Sequence, residues 1–204
     1  MWKHMAIAIR FTVAMTVLLG IAYPLLVTGI AQTIFPKQAH GSIVISGGHA
    51  VGSTLLGQSF ARPEYFHSRP SAAFDPSPSK DGTVSPDNYV SSGSNLAPTS
   101  KALAERVRQD VEAARFDNPR HGQSRVPVDM VTTSASGFDP DITPANAYAQ
   151  AARVAKARQM PEDRVRPLIR DHTTRRQLGV LGEPRVNVLK LNLALDAEAG
   201  SNRG

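Results

Sequence analysis

Twenty-five consecutive residues, Phe11 to Phe35, contain no Asp, Glu, Lys, Arg or His. Seventeen of them are apolar, and the run reads FTVAMTVLLGIAYPLLVTGIAQTIF. At about 1.5 Å per helical residue the segment reaches roughly 37 Å, enough to cross about 30 Å of hydrocarbon with some tilt. Pro24 sits near its middle, removes one backbone donor and predicts a kinked transmembrane helix. Gly20, four residues earlier, relieves the overlap between the proline ring and the preceding turn. A cleaved signal peptide is the competing reading, with Lys3 and Arg10 as its basic region and Gly29-Ile30-Ala31 as a small-x-small site. The apolar core of a signal peptide runs about 7–15 residues, which favours an uncleaved anchor. Lys3, Arg10 and the α-amino group precede the span, while only Lys37 follows closely. The positive-inside rule therefore places residues 1–10 in the cytoplasm, residues 11–35 in the membrane and residues 36–204 outside.

The remaining chain has the size of a single domain. Setting Lys3 and Arg10 aside leaves 21 basic and 17 acidic residues, a mild excess spread along the sequence. The densest basic group, Arg164, Arg166, Arg170, Arg175 and Arg176, is interleaved with Glu162, Asp163 and Asp171, as on a solvated helix face. Nucleic-acid binding needs a one-sided basic patch with interleaved aromatics, so that class is set aside. The chain has no Cys, which excludes a disulfide scaffold, a thiolate metal site and a Cys nucleophile.

The pattern of elements is α+β: one N-terminal transmembrane helix, then a single exported mixed α/β domain. Ser42-Ile43-Val44-Ile45, a Ser46-Gly47-Gly48-His49 turn and Ala50 to Gln58 read as a hairpin. Residues 61–99 form a Pro/Ser/Gly-rich loop that includes Ser77-Pro78-Ser79. Lys101 to Arg115 predicts a helix with Leu103, Val107 and Val111 on one face, stopped by Asp117-Asn118-Pro119. Pro127 to Thr132 suits a buried strand. Thr143 followed by Pro144 is a helix start, with Thr as cap and Pro at the first turn. The helix over Ala145 to Arg158 presents Tyr148, Ala152 and Ala155 at helical spacing, and its abundance of Ala predicts close packing against another element. Another runs from Pro161 toward His172 with Val165, Leu168 and Ile169 inward. Val186 to Leu195 is an apolar run that fits a strand passing into a helix. The tail from Gly200 to Gly204 is expected to be loose.

Catalytic patterns are absent: there is no Walker A sequence, GxSxG elbow, HExxH or EF-hand loop. His4, His40, His49, His67, His121 and His172 lack metal-ligand spacing, so neither catalytic nor metal residues are assigned. Ser91-Ser92-Gly93-Ser94-Asn95-Leu96 is similar to the signature loop of ABC-type ATPases, and backbone N–H groups before a helix are able to cradle an anion. A plain turn and cap explains the same residues. Gly137-Phe138-Asp139-Pro140-Asp141 brings two carboxylates close together, and an Asx-type turn into the Thr143 cap is the preferred reading over a metal site.

Longer motifs carry a family resemblance over about residues 6 to 196. They are Gly52-Ser53, Leu55-Leu56-Gly57-Gln58-Ser59-Phe60, Pro63, Tyr65-Phe66, Arg69-Pro70-Ser71-Ala72, Ser92-Gly93-Ser94-Asn95-Leu96 and Val126-Pro127. Ser134-Ala135-Ser136-Gly137-Phe138-Asp139-Pro140, Ile142-Thr143-Pro144, Gln150, Arg153-Val154-Ala155 and Arg158 continue them. They close with Leu181-Gly182-Glu183-Pro184-Arg185-Val186-Asn187-Val188-Leu189 and Leu191-Asn192-Leu193-Ala194-Leu195. In this order, after one span, they resemble the C subunit of potassium-transporting ATPases, the KdpC family. Two departures stand out: Asp141 where that family's pattern has His, and Ala97 where Gly is common before Pro98.

The resemblance implies a non-catalytic accessory subunit of a bacterial inner-membrane complex for high-affinity potassium uptake. Its implied partners are a channel-like A subunit, an ATP-hydrolysing B subunit, a small F peptide and membrane lipid. Potassium is then the transported ion. No cofactor is bound firmly, and ATP enters through a ternary complex in which the C subunit acts as a catalytic chaperone, raising the B subunit's ATP affinity. Ser92, Gly93, Ser94 and Asn95 would be the nucleotide-proximal residues. The topology places them outside, and a loop cannot reach cytoplasmic ATP across about 30 Å of hydrocarbon, so the effect on ATP is expected to be indirect. The expected mechanism is scaffolding, with Gly20, Pro24 and Gly29 at a helix-packing face and the exported domain over the outer mouth of the channel subunit. An anchored envelope hydrolase and a free-standing envelope binding or chaperone module remain as alternatives.

Overall fold

The N-terminal segment runs as one helix, Trp2 to Ile34, 33 residues long, with no ionisable Asp, Glu, Lys, Arg or His from Phe11 onward. A computed structural model describes residues 1–73, 90–117 and 125–201 of the chain. Helix α1 (Trp2–Val17) continues through a π-helical stretch, Leu18–Ala22, into α2 (Tyr23–Ile34). The Tyr23 N–H donates to the carbonyl of Leu18, five residues back. This is the form the expected disturbance at Pro24 takes. Pro24 has no N–H to give, and its ring crowds the preceding turn; one wider turn accommodates both without ending the helix. The helix starts at Trp2, earlier than the apolar run at Phe11, because Trp2 to Arg10 contains no Gly or Pro to stop it.

A single turn, α3 (Pro36–Ala39), leads to a two-stranded hairpin of β1 (Ile43–Ser46) and β2 (His49–Ser53). Gly47 and Gly48 between them have φ of 58° and 83°. Positive φ at both central residues gives the loop the twist that antiparallel strands need. Residues 1–51 form one compact unit and residues 52–204 a second.

The second unit contains α4 (Lys101–Asp117), β3 (Asp141–Ile142), α5 (Pro144–Ala157), α6 (Glu162–Asp171), β4 (Thr173–Thr174), β5 (Arg185–Asn187) and α7 (Val188–Ser201). The strands form an antiparallel sheet of order β3-β5-β4, with Ile142 opposite Val186 and Thr173 opposite Val186. Helix α5 packs on α6, α6 on α7, and α5 and α7 on β5. Their shared core holds Phe66, Ile142, Ala147, Ala151, Val154, Val165, Ile169, Val186, Leu191 and Leu195. Alanines at 147 and 151 let α5 approach closely. The chain is thus α+β with one N-terminal apolar helix, as its sequence implies.

Local signals account for most elements. Thr143 caps α5, its Oγ1 accepting from the Asn146 N–H at 3.1 Å, with Pro144 in the first turn. Val186 to Leu195 does pass from β5 into α7. The basic cluster of α6 is solvated and locally paired, for example Arg166 with Glu162 at 2.8 Å and Arg170 with Asp171 at 3.0 Å.

One expectation is corrected. Pro127 to Thr132 is no strand: Val128–Met130 form a single 3-10 turn, with Val128 71% exposed and Asp129 buried. The turn aims the Asp129 carboxylate at the start of α5, where the Thr143 N–H (2.7 Å), Thr143 Oγ1 (3.0 Å) and Asn146 Nδ2 (3.0 Å) donate to it. Burying that carboxylate with three donors outweighs β propensity. On α5 the inward line is Ala147, Ala151, Val154 and Ala155, whereas Tyr148 and Ala152 are half-buried. Tyr148 is held at the edge by α6, whose Arg166 guanidinium lies 5.6 Å from its ring centre. On α4, Leu103, Val107 and Val111 share a face, as their spacing predicts, and are half-buried. Ser77-Pro78-Ser79, the Asn118-Pro119 stop, His121 and the last residues of the tail fall outside the described residues.

Candidate functional site

The segment from Thr54 to Ala73 has no helix or strand, yet its backbone from Pro63 to His67 is bound at every residue by side chains of α5, its C-cap Arg158 and α7. Asn192 of α7 works like a strand edge: the Phe66 N–H donates to its Oδ1 (2.8 Å) and its Nδ2 donates to the Phe66 carbonyl (3.0 Å). Gln150 of α5 does the same for His67, at 2.7 Å and 3.1 Å. Gln150 Nε2 also reaches Asn146 Oδ1 at 2.7 Å, which links this clamp to Asp129 and the α5 cap. Arg153 donates to the carbonyls of Pro63 (2.6 Å) and Tyr65 (3.1 Å). Arg158 donates to the carbonyl of Glu64 (2.7 Å), and its guanidinium lies 4.9 Å from the Tyr65 ring centre. Arg69 Nη1 meets Asp139 at 2.8 Å, and Asn187 Nδ2 donates to the Thr54 carbonyl at 3.0 Å. Buried amides and half-buried arginines thus replace a sheet partner, satisfying backbone groups that cannot be left unpaired.

Sequence reasoning about chemistry passed over this ladder. Its signal was there: Asn146, Gln150 and Asn192 are polar residues on otherwise apolar helix faces, all at most 3% exposed. Such groups need partners, and the nearest available are backbone atoms of an irregular segment.

His67 sits within the clamp. Burial, and then the nearby Arg153 cation, hold its pKa below the usual 6.5. The unfolded chain therefore takes up a proton first as pH falls through 6.5, and the folded chain does so only at lower pH. Stability is present above 6.5, is lost as pH falls below it, and the loss levels off once the folded ring also protonates. The melting temperature of the full chain is expected to fall between pH 8 and pH 5.5. The same series in His67→Gln is expected to be flatter.

The serine loop is placed differently from a helix-start cradle. Helix α4 begins at Lys101, where the Leu103 N–H lies 3.5 Å from Ser100 Oγ, several residues beyond Ser94. Residues 91–93 run instead along 135–137. Ser91 Oγ and the Ser92 N–H both donate to the Ser136 carbonyl, at 2.9 Å and 3.2 Å. A Cβ on Gly93 would stand 2.9 Å from the Ala135 carbonyl oxygen. Ser94 is half-buried, and Asn95 is exposed with φ of 50°.

The paired carboxylates follow the turn reading. The Asp141 N–H donates to Asp139 Oδ1 at 3.1 Å, an Asx-type contact, while the other oxygen of Asp139 takes Arg69. Asp141 pairs with Arg185 (3.0 Å) and Asn187 Nδ2 (3.2 Å) across the β3–β5 ladder. Burial raises its pKa, opposed by the Asn187 hydrogen bond and the Arg185 charge. Among the described residues no three His, Asp or Glu side chains are grouped for a metal.

In the first unit, Leu25 is 67% exposed, Leu26 63% and Phe11 62%. Gly20 lies in the π-helical stretch and Pro24 in the first turn of α2. A Cβ at Gly29 would meet nothing within 4 Å.

Comparison with known proteins addresses the whole chain. A family described as KdpC, K+-transporting ATPase, c chain, matches residues 5–197. The chain belongs to the KdpC family. Proteins named potassium-transporting ATPase KdpC subunit share this length. That of Rhodopseudomonas palustris strain BisB18 is 53% identical, over 97% of this chain and 99% of the relative. That of Acidobacterium capsulatum is 52% identical, over 95% and 98%. That of Bradyrhizobium diazoefficiens is 52% identical, over 98% and 99%. Among the residues through which this chain resembles the KdpC family are clamp residues: Tyr65-Phe66 and Arg69 on the loop, and Gln150, Arg153, Arg158 and Asn192 on the elements that hold it.

Proposed function

We propose that this chain is the accessory, non-catalytic subunit of an ATP-driven potassium uptake complex in a bacterial inner membrane. The observation that carries the reading is kinship over nearly the full length with proteins named as KdpC subunits of potassium-transporting ATPases. The helix from Trp2 to Ile34 supports a single-pass anchor, since among the described residues it is long and apolar enough to cross a membrane and buries none of its most apolar window. Lipid and partner helices would cover them, with Gly20 and Gly29 allowing close approach around the π-helical turn at Pro24. The asymmetry of Lys3 and Arg10 against Lys37 supports a cytoplasmic N-terminus and an exported second unit.

That unit acts as a scaffold beside the channel-like A subunit and stabilises the assembly with the B subunit and the F peptide. Any gain in ATP affinity of the B subunit is indirect, transmitted through the anchor and the partner subunits. The engagement of Ser91 and Ser92 with Ser136 supports this, because the Ser92 N–H, a donor a phosphate would need, is already occupied.

One experiment tests function and sidedness together. Cells lacking the chain, and dependent on the complex for potassium, are complemented with Ser94→Cys, a single thiol in a chain without other Cys. Restored uptake is expected, with labelling in intact cells by a thiol reagent that passes only the outer membrane. Full uptake from residues 1–35 alone would overturn the scaffold. Labelling only after lysis, in parallel with a cysteine placed at Lys3, would restore a direct nucleotide contact.

A further inference from the structure

The wide turn in the N-terminal helix leaves one backbone carbonyl without a donor. The Tyr23 N–H, which in a regular α-helix would serve Leu19, donates to Leu18 instead. The next N–H in a π-helical ladder would come from residue 24, which is proline. Side chains of the same helix do not fill the gap. Thr33 shows how one would: its Oγ1 donates to the carbonyl of Gly29, four residues back, at 2.7 Å. Three residues on from Leu19 stands Ala22, which has no side-chain donor, and four residues on stands Tyr23, whose hydroxyl lies at the far end of its ring. Among the described residues no group outside the helix donates to Leu19 either. At about 1.5 Å per residue this carbonyl lies about 12 Å from Phe11 and 22 Å from Ile34, deep in a hydrocarbon layer of about 30 Å. Acyl chains offer no donor, so a carbonyl left unpaired there is costly. Its flank is open: Gly20 has no side chain, and within 4 Å a Cβ there would meet Thr16 Cγ2 at 3.9 Å and nothing else.

We propose that the Leu19 carbonyl accepts a hydrogen bond from a polar side chain (a hydroxyl, amide or ammonium) on a transmembrane helix of another subunit of the ATPase complex. The inference rests on the reading of this chain as a single-pass subunit of that complex. On that reading the residues after Ile34 lie outside the membrane, so the rest of the chain does not supply the donor. Lipid headgroups are held at the surface, far from Leu19. A second copy of the same helix is also a poor source. In a parallel symmetric pair level residues face each other, and the nearest side-chain donors, on Thr16 and Tyr23, stand about 4.5 and 6 Å away along the axis. A neighbouring helix of different sequence is under no such constraint, and the missing side chain at Gly20 lets its backbone come close. The π-helical turn then has a role beyond accommodating Pro24: it presents an acceptor in a layer where acceptors are scarce.

The test uses the full chain co-expressed with the other subunits. A diazirine-bearing amino acid in place of Ala22, on the turn toward which the Leu19 carbonyl points, is activated in native membranes. The expected adduct is with another subunit, within one turn of a Ser, Thr, Asn, Gln, His or Lys on a transmembrane helix. In parallel, Pro24→Ala returns an N–H to the ladder. The isolated variant is expected to melt at or above the parent temperature, yet its affinity for the rest of the complex should fall about three- to tenfold, the effect of one interhelical hydrogen bond. Replacing the mapped donor by an apolar side chain of similar size should cost the same. The two changes together should cost no more than either alone, because both act on one bond. Additive losses would show that Pro24 acts through helix shape. Those, an unchanged affinity of Pro24→Ala, or adducts only with lipid, with a second copy or with a helix that has no donor there would overturn the bond while leaving the subunit reading intact. If the parent chain purifies free of any partner, both readings fall.

Discussion

Asn192→Leu is expected to destabilise the folded chain by about 4 kcal/mol, although the replacement is apolar and enters an apolar core. The two side chains are similar in size, so the effect comes from hydrogen bonding. Asn192 is 2% exposed and Phe66 is fully buried. Its Oδ1 and Nδ2 are the partners the structure gives to the Phe66 N–H and carbonyl, at 2.8 Å and 3.0 Å. Leucine would leave both backbone groups unpaired inside the protein, at about 1–3 kcal/mol each. At roughly 2–4 °C per kcal/mol for a domain of this size, the melting temperature should drop by about 10 °C. The near-UV circular dichroism of the full chain in mild detergent reads this, because Tyr65 and Tyr148 lie in the unit that melts. A shift below about 2 °C would mean that Phe66 finds other partners, and the clamp would not be the support of the 54–73 segment.

Gly137→Ala is expected to cost about 3 kcal/mol and to detach the serine loop from its neighbour. Gly137 has φ of 76°, where a Cβ costs about 1 kcal/mol. The added Cβ would also overlap the Cβ of Ala73 and stand 2.9 Å from the Ser92 carbonyl oxygen and 3.0 Å from Ser71 Oγ. Two of these are positions of short, stiff groups, so the segments must move apart, adding about 1–3 kcal/mol. Gly179→Ala separates the two contributions. Its φ is 78°, but a Cβ there meets nothing within 4 Å, so only the backbone cost of about 1 kcal/mol should appear. Thermal unfolding measures the difference, and limited proteolysis near Val90 to Asn95 should accelerate in Gly137→Ala alone. Equal losses in the two variants would show that the close approach of 71–73, 92 and 137 contributes nothing.

Both predictions concern how irregular segments are held, and that is where sequence and tertiary structure divide. Features that depend on near neighbours can be read along the chain. A run without charge from Phe11 to Phe35 has to be a helix in a medium without water, because only intrahelical bonds satisfy its backbone there. Gly47-Gly48 makes the hairpin turn because both positions need positive φ. Thr143-Pro144 starts α5 because the side chain and the ring act within one turn.

Tertiary structure decided what depends on residues far apart. Pro127 to Thr132 has the composition of a strand, yet it turns so that Asp129 can meet Thr143 and Asn146, an arrangement no local rule contains. The inward face of α5 is set by which side α6 covers, so Tyr148 lies at the edge and Ala147 inside. The serine loop looked like a helix start because Ser, Gly and Asn precede a helix. Its actual partner is Ser136, 45 residues away from Ser91. Motif order alone identified the family, but what some of those residues do is settled in space: the Phe66 backbone and the Asn192 side chain, 126 residues apart, satisfy one another. Propensity and capping energies act over a few residues and can be read along the chain, whereas the pairing of buried polar groups is fixed only when distant segments close around them.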